Sequence, residues 1–385
     1  MIEKDNYVKI SVDMLGSETS IENIIKGLNN SFLRNDNYYF RLFGPSYEIN
    51  NELSKYIELK QNIEIIDCNE MVEMTDKPSD VIKAKKNSSM FRSVNSIRSS
   101  DSKAVLSCGN TGALMALSLL NLKTLESIKR PSIASIWPNI NGESIVLDLG
   151  ANIKSDSQYL VDNAILGASL ASVLLKINNP SVGLLNVGKE DGKGNDILQK
   201  TSQELLSLKK KGLINYYGFI EGSDISRGVT NVVITDGFTG NVALKTAEGT
   251  ARMIQVFLKN ALNSSIISKL GAYLASFALS SLKDKLDPRV HNCGIFVGLN
   301  APIIKCHGAS DHIGITYAAD LIYMLIKDDV NDKIKKNKHY YSIVVKMNWI
   351  KSDKRENSTI TKSKEKTERI KKKKHAIDKK ILIFI

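Results

Sequence analysis

Apolar residues along this 385-residue chain fall into two rhythms. Short β-branched runs read as strands: Val8–Asp13 (VKISVD), Tyr39–Phe43, Ile63–Ile66, Ala104–Cys108 (AVLSC), Ser181–Asn186 (SVGLLN) and Val232–Thr235. Pro131–Ile136, Ser144–Leu149 and part of Gly298–Ser310 add three more. Between them the spacing turns helical, with Ile21, Ile24, Ile25 and Leu28 on one face and Leu244, Ala247, Ala251, Ile254 and Leu258 on another. Ala113–Leu122, Tyr159–Ile177, Ile197–Lys211 and Asp311–Ile326 read as helices too, as do Leu53–Leu59 and Ser79–Arg98. This alternation predicts an α/β fold, a mostly parallel sheet with helices on both faces. One domain over residues 1–330 is expected, followed by a basic tail over 331–385.

Where the strands stop, the chain turns to glycine, asparagine and lysine. In parallel sheets ligands collect at the carboxyl ends of strands, so these loops are the candidate site. Asn231–Arg252 organises the rest: a strand, a loop at Asp236–Asn241, then a helix. A helix start offers free N–H groups and a positive dipole end to an anion, and Lys245 lies one turn further in. The other loops bring Asn110, Thr111, Asn152, Lys193, Asn195, Lys305 and His307. Amides, hydroxyls and lysines suit an oxyanion such as phosphate beside a carbonyl to be polarised.

The same set argues against other chemistry. No His, Cys and carboxylate cluster has metal-ligand spacing, so no metal is expected. Neither dinucleotide nor P-loop fingerprints are present, so the motifs give no reason to expect a nucleotide cofactor. Cys108, near a helix start, reads either as an activated thiol or, more in keeping with buried cysteines, as a small packing residue. His307 reads equally as a general base or as a hydrogen-bonded loop residue.

The net charge of +12 changes the picture only once it is located. Asn337–Ile385 carries 15 Lys and Arg against 5 Asp and Glu, a net of +10, which leaves +2 on the remainder. A nearly neutral body gives no reason to expect nucleic acid as its ligand. The basic tail keeps two readings open: a decayed reading frame, or a tether to anionic lipid or RNA. The lysines of Ser79–Arg98 form a solvated face or a landing site for an acidic partner. Four scattered cysteines, no visible leader and no apolar run near the roughly 20 residues of a membrane span predict a reduced, cytosolic protein.

Eight stretches, in order, carry a resemblance to a known family. They are VDMLGSE (Val12–Glu18), EMVEMTDKP with KKNSSM (Glu70–Met90), SCGNTGALMA (Ser107–Ala116), KRPSIA (Lys129–Ala134), LDLGANIKSDSQYLVDNAILG (Leu147–Gly167), VGLLNVGKEDGKGN (Val182–Asn195), VVITDGFTGNVALKTAEGTA (Val232–Ala251) and IIKCHGASD (Ile303–Asp311). Over roughly Val8 to Ile326 the chain resembles the phosphate acyltransferase (PlsX) family.

The resemblance implies reversible transfer of a fatty acyl group from acyl-acyl-carrier protein to inorganic phosphate, the entry to phospholipid synthesis. It implies a fold related to the phosphotransacetylases and isopropylmalate dehydrogenases, a homodimer, and no metal or nucleotide. Lys193 and Asn241 are then the expected electrostatic pair at the reacting carbonyl. Asn110, Thr111 and Asn195 would orient phosphate, with Lys245, Lys305 and His307 as supporting charge and proton handling and Asn152 and Asp236 as further substrate- or phosphate-binding residues. Cysteines replace the family's usual alanines at positions 108 and 306, and Ser17 and Glu18 alter its first loop. The amphipathic stretch Ile266–Leu286 fits a membrane surface, beside a membrane glycerol-phosphate acyltransferase, as well as it fits a dimer interface. A coenzyme A-dependent phosphotransacetylase is the alternative enzyme; a decarboxylating dehydrogenase would need aspartates to bind metal.

Overall fold

The computed structural model describes residues 7–126, 128–190, 192–279 and 293–337. Two compact units divide the chain, Met1–Lys335 and Lys336–Ile385. Nearly all of the second, and with it the basic tail, lies outside the described residues.

The first half of the sheet is built from β1 (Val8–Asp13), β2 (Tyr38–Gly44), β3 (Ile63–Asp67) and β4 (Ala104–Ser107). β5 (Ser132–Asn139) and β6 (Gly142–Leu147) follow, then β7 (Ser181–Leu185), β8 (Asn215–Ile220), β9 (Val232–Ile234), β10 (Cys293–Val297) and β11 (Ile303–Cys306). Their order across the sheet is β3-β2-β1-β4-β11-β10-β5-β6-β9-β7-β8. Both flanks are parallel, and only the β11-β10, β10-β5 and β5-β6 pairings are antiparallel. In β1 the successive residues Ile10, Ser11, Val12 and Asp13 are all buried. Neighbouring side chains point to opposite faces, so the sheet is covered on both sides.

The covering helices are α1 (Ile21–Arg34), α2 (Ser46–Leu53), α3 (Ile57–Lys60), α4 (Pro78–Ala84), α5 (Ser89–Arg98) and α6 (Thr111–Leu122). α7 (Ser157–Leu174), α8 (Asp196–Lys210), α9 (Gly222–Arg227), α10 (Gly237–Asn263), α11 (Ile266–Leu274) and α12 (His312–Lys327) follow. α7 packs on β6 and β9, and α12 on β4 and β11.

Several expectations are corrected. The helical region at Ser79–Arg98 is two helices, because the Ser88 hydroxyl accepts the Phe91 N–H at 3.3 Å and caps a fresh start. Leu53–Leu59 is likewise interrupted between α2 and α3. The centre of the sheet turns antiparallel at the β5–β6 hairpin, where Asn141 N donates to Asn139 Oδ1 at 2.9 Å and Gly142 has φ +129°.

The most consequential correction concerns Asp236–Asn241. It is not a loop: the Asp236 carboxylate accepts the Thr239 N–H at 2.9 Å, and α10 is helical from Gly237 onward. Its glycines serve close packing. A Cβ at Gly237 would lie 2.6 Å from the Asn152 carbonyl oxygen, and one at Gly240 2.0 Å from that of Asp148.

α10 runs 27 residues, about 40 Å at 1.5 Å per residue. Beyond Gly240 it is largely exposed, showing Met253, Ile254 and Phe257 to solvent, and α11 exposes Ile266, Leu270 and Tyr273. An apolar helical arm therefore projects from the sheet. The expected amphipathic stretch passes at residue 280 outside the described residues. Among the described residues no helix is long and apolar enough to cross a membrane.

Candidate active site

Three side chains stand in register across the ends of neighbouring strands. Asp13 of β1 is opposite Ser107 of β4, and Ser107 is opposite Lys305 of β11. All three are buried, Lys305 at 8 % exposure. Ser107 Oγ donates to Asp13 Oδ2 at 2.7 Å, and Ser89 Oγ donates to Oδ1. Burial pushes the Asp13 carboxyl up to about 6, against the hydrogen bonds of Ser89, Ser107 and Leu15 N and the positive charge of Lys305.

Lys305 Nζ donates to the main-chain carbonyls of Cys108, at 3.2 Å, and Cys306. Burial lowers its pKa from the ordinary lysine value, while Asp13 and the thiols around it act the other way. A lysine held this way is a fixed cation with one donor left to offer, since an ammonium has three.

Lys305 lines a cleft of about 290 Å³ together with Thr111, Asn241, Lys245, Glu248 and His307. Thr111 opens α6, so that helix brings its positive dipole end to the cleft. Lys245 pairs with Glu248 at 2.9 Å and stays more than half exposed. The second oxygen of Glu248 is buried without a hydrogen-bond partner among the described residues. His307 Nδ1 accepts the Ala309 N–H at 3.2 Å, so a neutral ring carries its proton on Nε2. That makes the imidazole a donor towards an oxyanion. The cleft is thus cationic and rich in donors, of a size for a phosphate-like group and one carbonyl.

Asp148, at the end of β6, fixes one wall. Its carboxylate accepts from Ile133 N (3.1 Å), Gly150 N (3.1 Å), Ala151 N (2.9 Å), Asn152 N (2.8 Å) and Tyr159 Oη (2.8 Å). Asn241 packs against the loop so formed, since a Cβ on Gly150 would sit 3.6 Å from it.

Other candidates are occupied in building the site. Asn110 caps α6 by accepting the Ala113 N–H at 3.0 Å, while its amide donates to the carbonyls of Glu73, Met74 and Asp76 at 2.9–3.2 Å. Asn152 donates to Pro131 O and Tyr159 Oη, and its carbonyl receives Gly237 N–H at 3.0 Å. Asn195 caps α8 and Asp236 caps α10. Both line a second, larger cavity of about 1290 Å³ between α10, β5, β7, α8 and α9. Lys193 is exposed beside Gly194 and Asn195 at the edge of that cavity, and among the described residues it does not line the smaller cleft with Asn241.

Cys108 is the packing residue. A hydrogen bond with Cys306, then burial, pushes its thiol well above the ordinary range. Cys293 Sγ lies 3.7 Å from Cys306 Sγ in the same layer. Asp13, Asp148 and Glu248 were missed as site residues. For the two aspartates a signal existed, an acid closing an otherwise apolar strand. Among the described residues no group of three or more His, Cys, Asp or Glu is placed to hold a metal.

Comparison with known proteins then decides the family. A sequence profile described as "Fatty acid synthesis protein" matches residues 8–333. The phosphate acyltransferase of Sinorhizobium fredii is 41% identical over 329 residues, covering 85% of this chain and 94% of the relative. That of Azorhizobium caulinodans is 42% identical over 333 residues, covering 86% and 93%. The chain belongs to the phosphate acyltransferase family. It is an acyltransferase, and the class of its reaction is acyl transfer to phosphate.

Solved structures agree at the level of the fold. A phosphotransacetylase from Streptococcus pyogenes superposes with a TM-score of 0.58 at 16% identity, covering 85% of this chain and 96% of the other. The EutD phosphotransacetylase of Staphylococcus aureus gives 0.53 at 15% identity, covering 83% and 93%.

Proposed function

We propose that this phosphate acyltransferase takes a fatty acyl group from the thioester of acyl-carrier protein and gives it to inorganic phosphate, forming acyl phosphate for phosphatidic acid synthesis. The observation that carries this reading is the buried Lys305 ammonium, held on the Cys108 and Cys306 carbonyls at the wall of a donor-rich cleft. Phosphate is already an anionic nucleophile near neutral pH, so the protein need not supply one. Its tasks are to desolvate and aim phosphate and to stabilise charge on the thioester oxygen.

Lys305, Thr111 and Lys245 bind phosphate in this reading. Asn241 and the Nε2–H of His307 donate to the developing oxyanion. A phosphate oxygen attacks the carbonyl carbon, and the tetrahedral adduct collapses with release of the carrier's thiolate. Lys193 reaches the carrier's side of the site from the edge of the larger cavity. Asn110, Asn152, Asn195 and Asp236 hold the loops and helix starts.

Met253, Val256 and Phe257, exposed on α10 and outside the lining of the larger cavity, are read as the surface a second copy covers in a homodimer. The end of the arm, α11, is read as meeting the cytoplasmic face of the cell membrane, close to a membrane glycerol-phosphate acyltransferase.

The donor is tested by supplying palmitoyl-acyl-carrier protein and palmitoyl-coenzyme A separately with phosphate and measuring acyl phosphate. Turnover with the carrier-protein thioester at least tenfold more efficient than with the coenzyme A thioester is expected. The reverse preference would assign the chain a phosphotransacetylase-like reaction.

A further inference from the structure

The larger cavity is not used by the reaction as derived above. At about 1290 Å³ it exceeds the roughly 300–1,000 Å³ of ordinary small-ligand sites. Apolar side chains from two strands and from the helices face it, among them Ile136, Trp137, Leu185, Ile225 and Ile254. It adjoins the cleft directly: Ser135, Leu244 and Glu248 line both. A molecule whose reacting carbonyl lies in the cleft therefore has an apolar space on the other side of one layer of side chains.

α10 keeps that space open. Ala243, Ala247 and Ala251 recur every four residues and all line the cavity, so one face of the helix is pared down to methyl groups. Leucine at any of them would fill volume that is now empty.

We propose that the larger cavity holds the acyl chain, entered past Leu244, and that Ala247 limits the chain length it accepts. The ligand class is a linear saturated chain ending in a carbonyl or phosphate head, and the assignment rests on the cleft being the reaction centre. Ala247 lies one turn of α10 beyond Leu244, and Ala251 about 6 Å further along the axis. A bulky side chain at 247 therefore shortens the available space more than one at 251.

The test measures binding of octyl, dodecyl and hexadecyl phosphate to the full chain and to Ala247→Phe, Ala247→Val and Ala251→Phe, with unfolding curves alongside. Longer chains bury more methylene groups, so the parent should bind hexadecyl phosphate at least tenfold more tightly than octyl phosphate. Ala247→Phe should erase that ratio while changing octyl phosphate affinity less than threefold, and Ala247→Val should reduce it. Ala251→Phe should keep the advantage of dodecyl over octyl phosphate that Ala247→Phe loses.

An unchanged ratio in Ala247→Phe and Ala247→Val, or an equal loss at every length, overturns the proposal. Acyl phosphate formation by the parent is assayed in parallel. A length-dependent ratio without turnover keeps the cavity assignment and overturns the reaction reading instead.

Discussion

Lys305 on β11 donates its ammonium to the carbonyl of Cys108, 3.2 Å away in the turn that leads from β4 into α6. This bond ties the cation proposed to bind phosphate to the loop that places Thr111, so charge and helix start move as one piece. Burial also lowers the lysine's pKa, opposed by Asp13 and by Cys108, Cys306 and Cys293. Phosphate-dependent turnover should therefore fall off at a pH below that of an ordinary lysine. A pH profile of kcat/KM for phosphate checks this, and Asp13→Asn should move the alkaline limb lower still, because a negative charge that favours the cation is gone.

Asp13 makes a separate prediction for stability. Its folded carboxyl keeps a proton up to about pH 6, whereas the unfolded chain releases it near 3.8. Between those values the folded state binds more protons, so stability falls as pH rises through the window and stays lower above it. The size is on the order of 3 kcal/mol at 1.36 kcal/mol per unit. Urea denaturation between pH 4 and 7 should show the parent losing stability relative to Asp13→Asn over this range.

Two glycines of α10 should respond oppositely to alanine. A Cβ at Gly240 would press to 2.0 Å from the Asp148 carbonyl oxygen, whereas one at Gly249 meets nothing within 4 Å. Gly249→Ala should stabilise by about 0.5–1 kcal/mol from helix propensity alone. Gly240→Ala should destabilise by about 2 kcal/mol or more, as overpacking does, and should weaken activity because α10 carries Asn241 and Lys245. Thermal unfolding of the two variants side by side measures the contrast.

Asp148 holds four main-chain N–H groups and the Tyr159 hydroxyl. Removing the carboxylate leaves buried donors without partners, at about 1–3 kcal/mol each before relaxation. Asp148→Ala should cost at least about 3 kcal/mol in a denaturant titration, and Asp148→Asn less, since its amide oxygen still accepts.

Much of the architecture was legible because strands buried on both faces are written as short apolar runs. VKISVD, AVLSC and SVGLLN all lie where their patterns put them. β8 was not legible: NYYGFI mixes tyrosine, glycine and asparagine, with Tyr217 turned to solvent at 53 % exposure. β10 escaped too: its place between β11 and β5 is set by antiparallel tertiary pairing, which its own five residues do not announce.

The candidate site was legible as a list of polar residues at strand ends, of which Thr111, Asn241, Lys245, Lys305 and His307 line one cleft. What the pattern does not encode is which side chains are already committed. Asn110 and Asp236 look the same in sequence as free ligands, but their oxygens are spent on helix caps. DGFTGN likewise reads as a turn, because a glycine required for close packing is spelled like one required for a bend.

The proposed phosphate site is tested most directly by the KM for phosphate of Lys305→Met, measured with palmitoyl-acyl-carrier protein as donor. The KM for phosphate should rise at least tenfold while the KM for the acyl donor changes less than threefold. An unchanged phosphate KM in a variant that folds and turns over would contradict the assignment of the cleft, and with it the role given to Lys305.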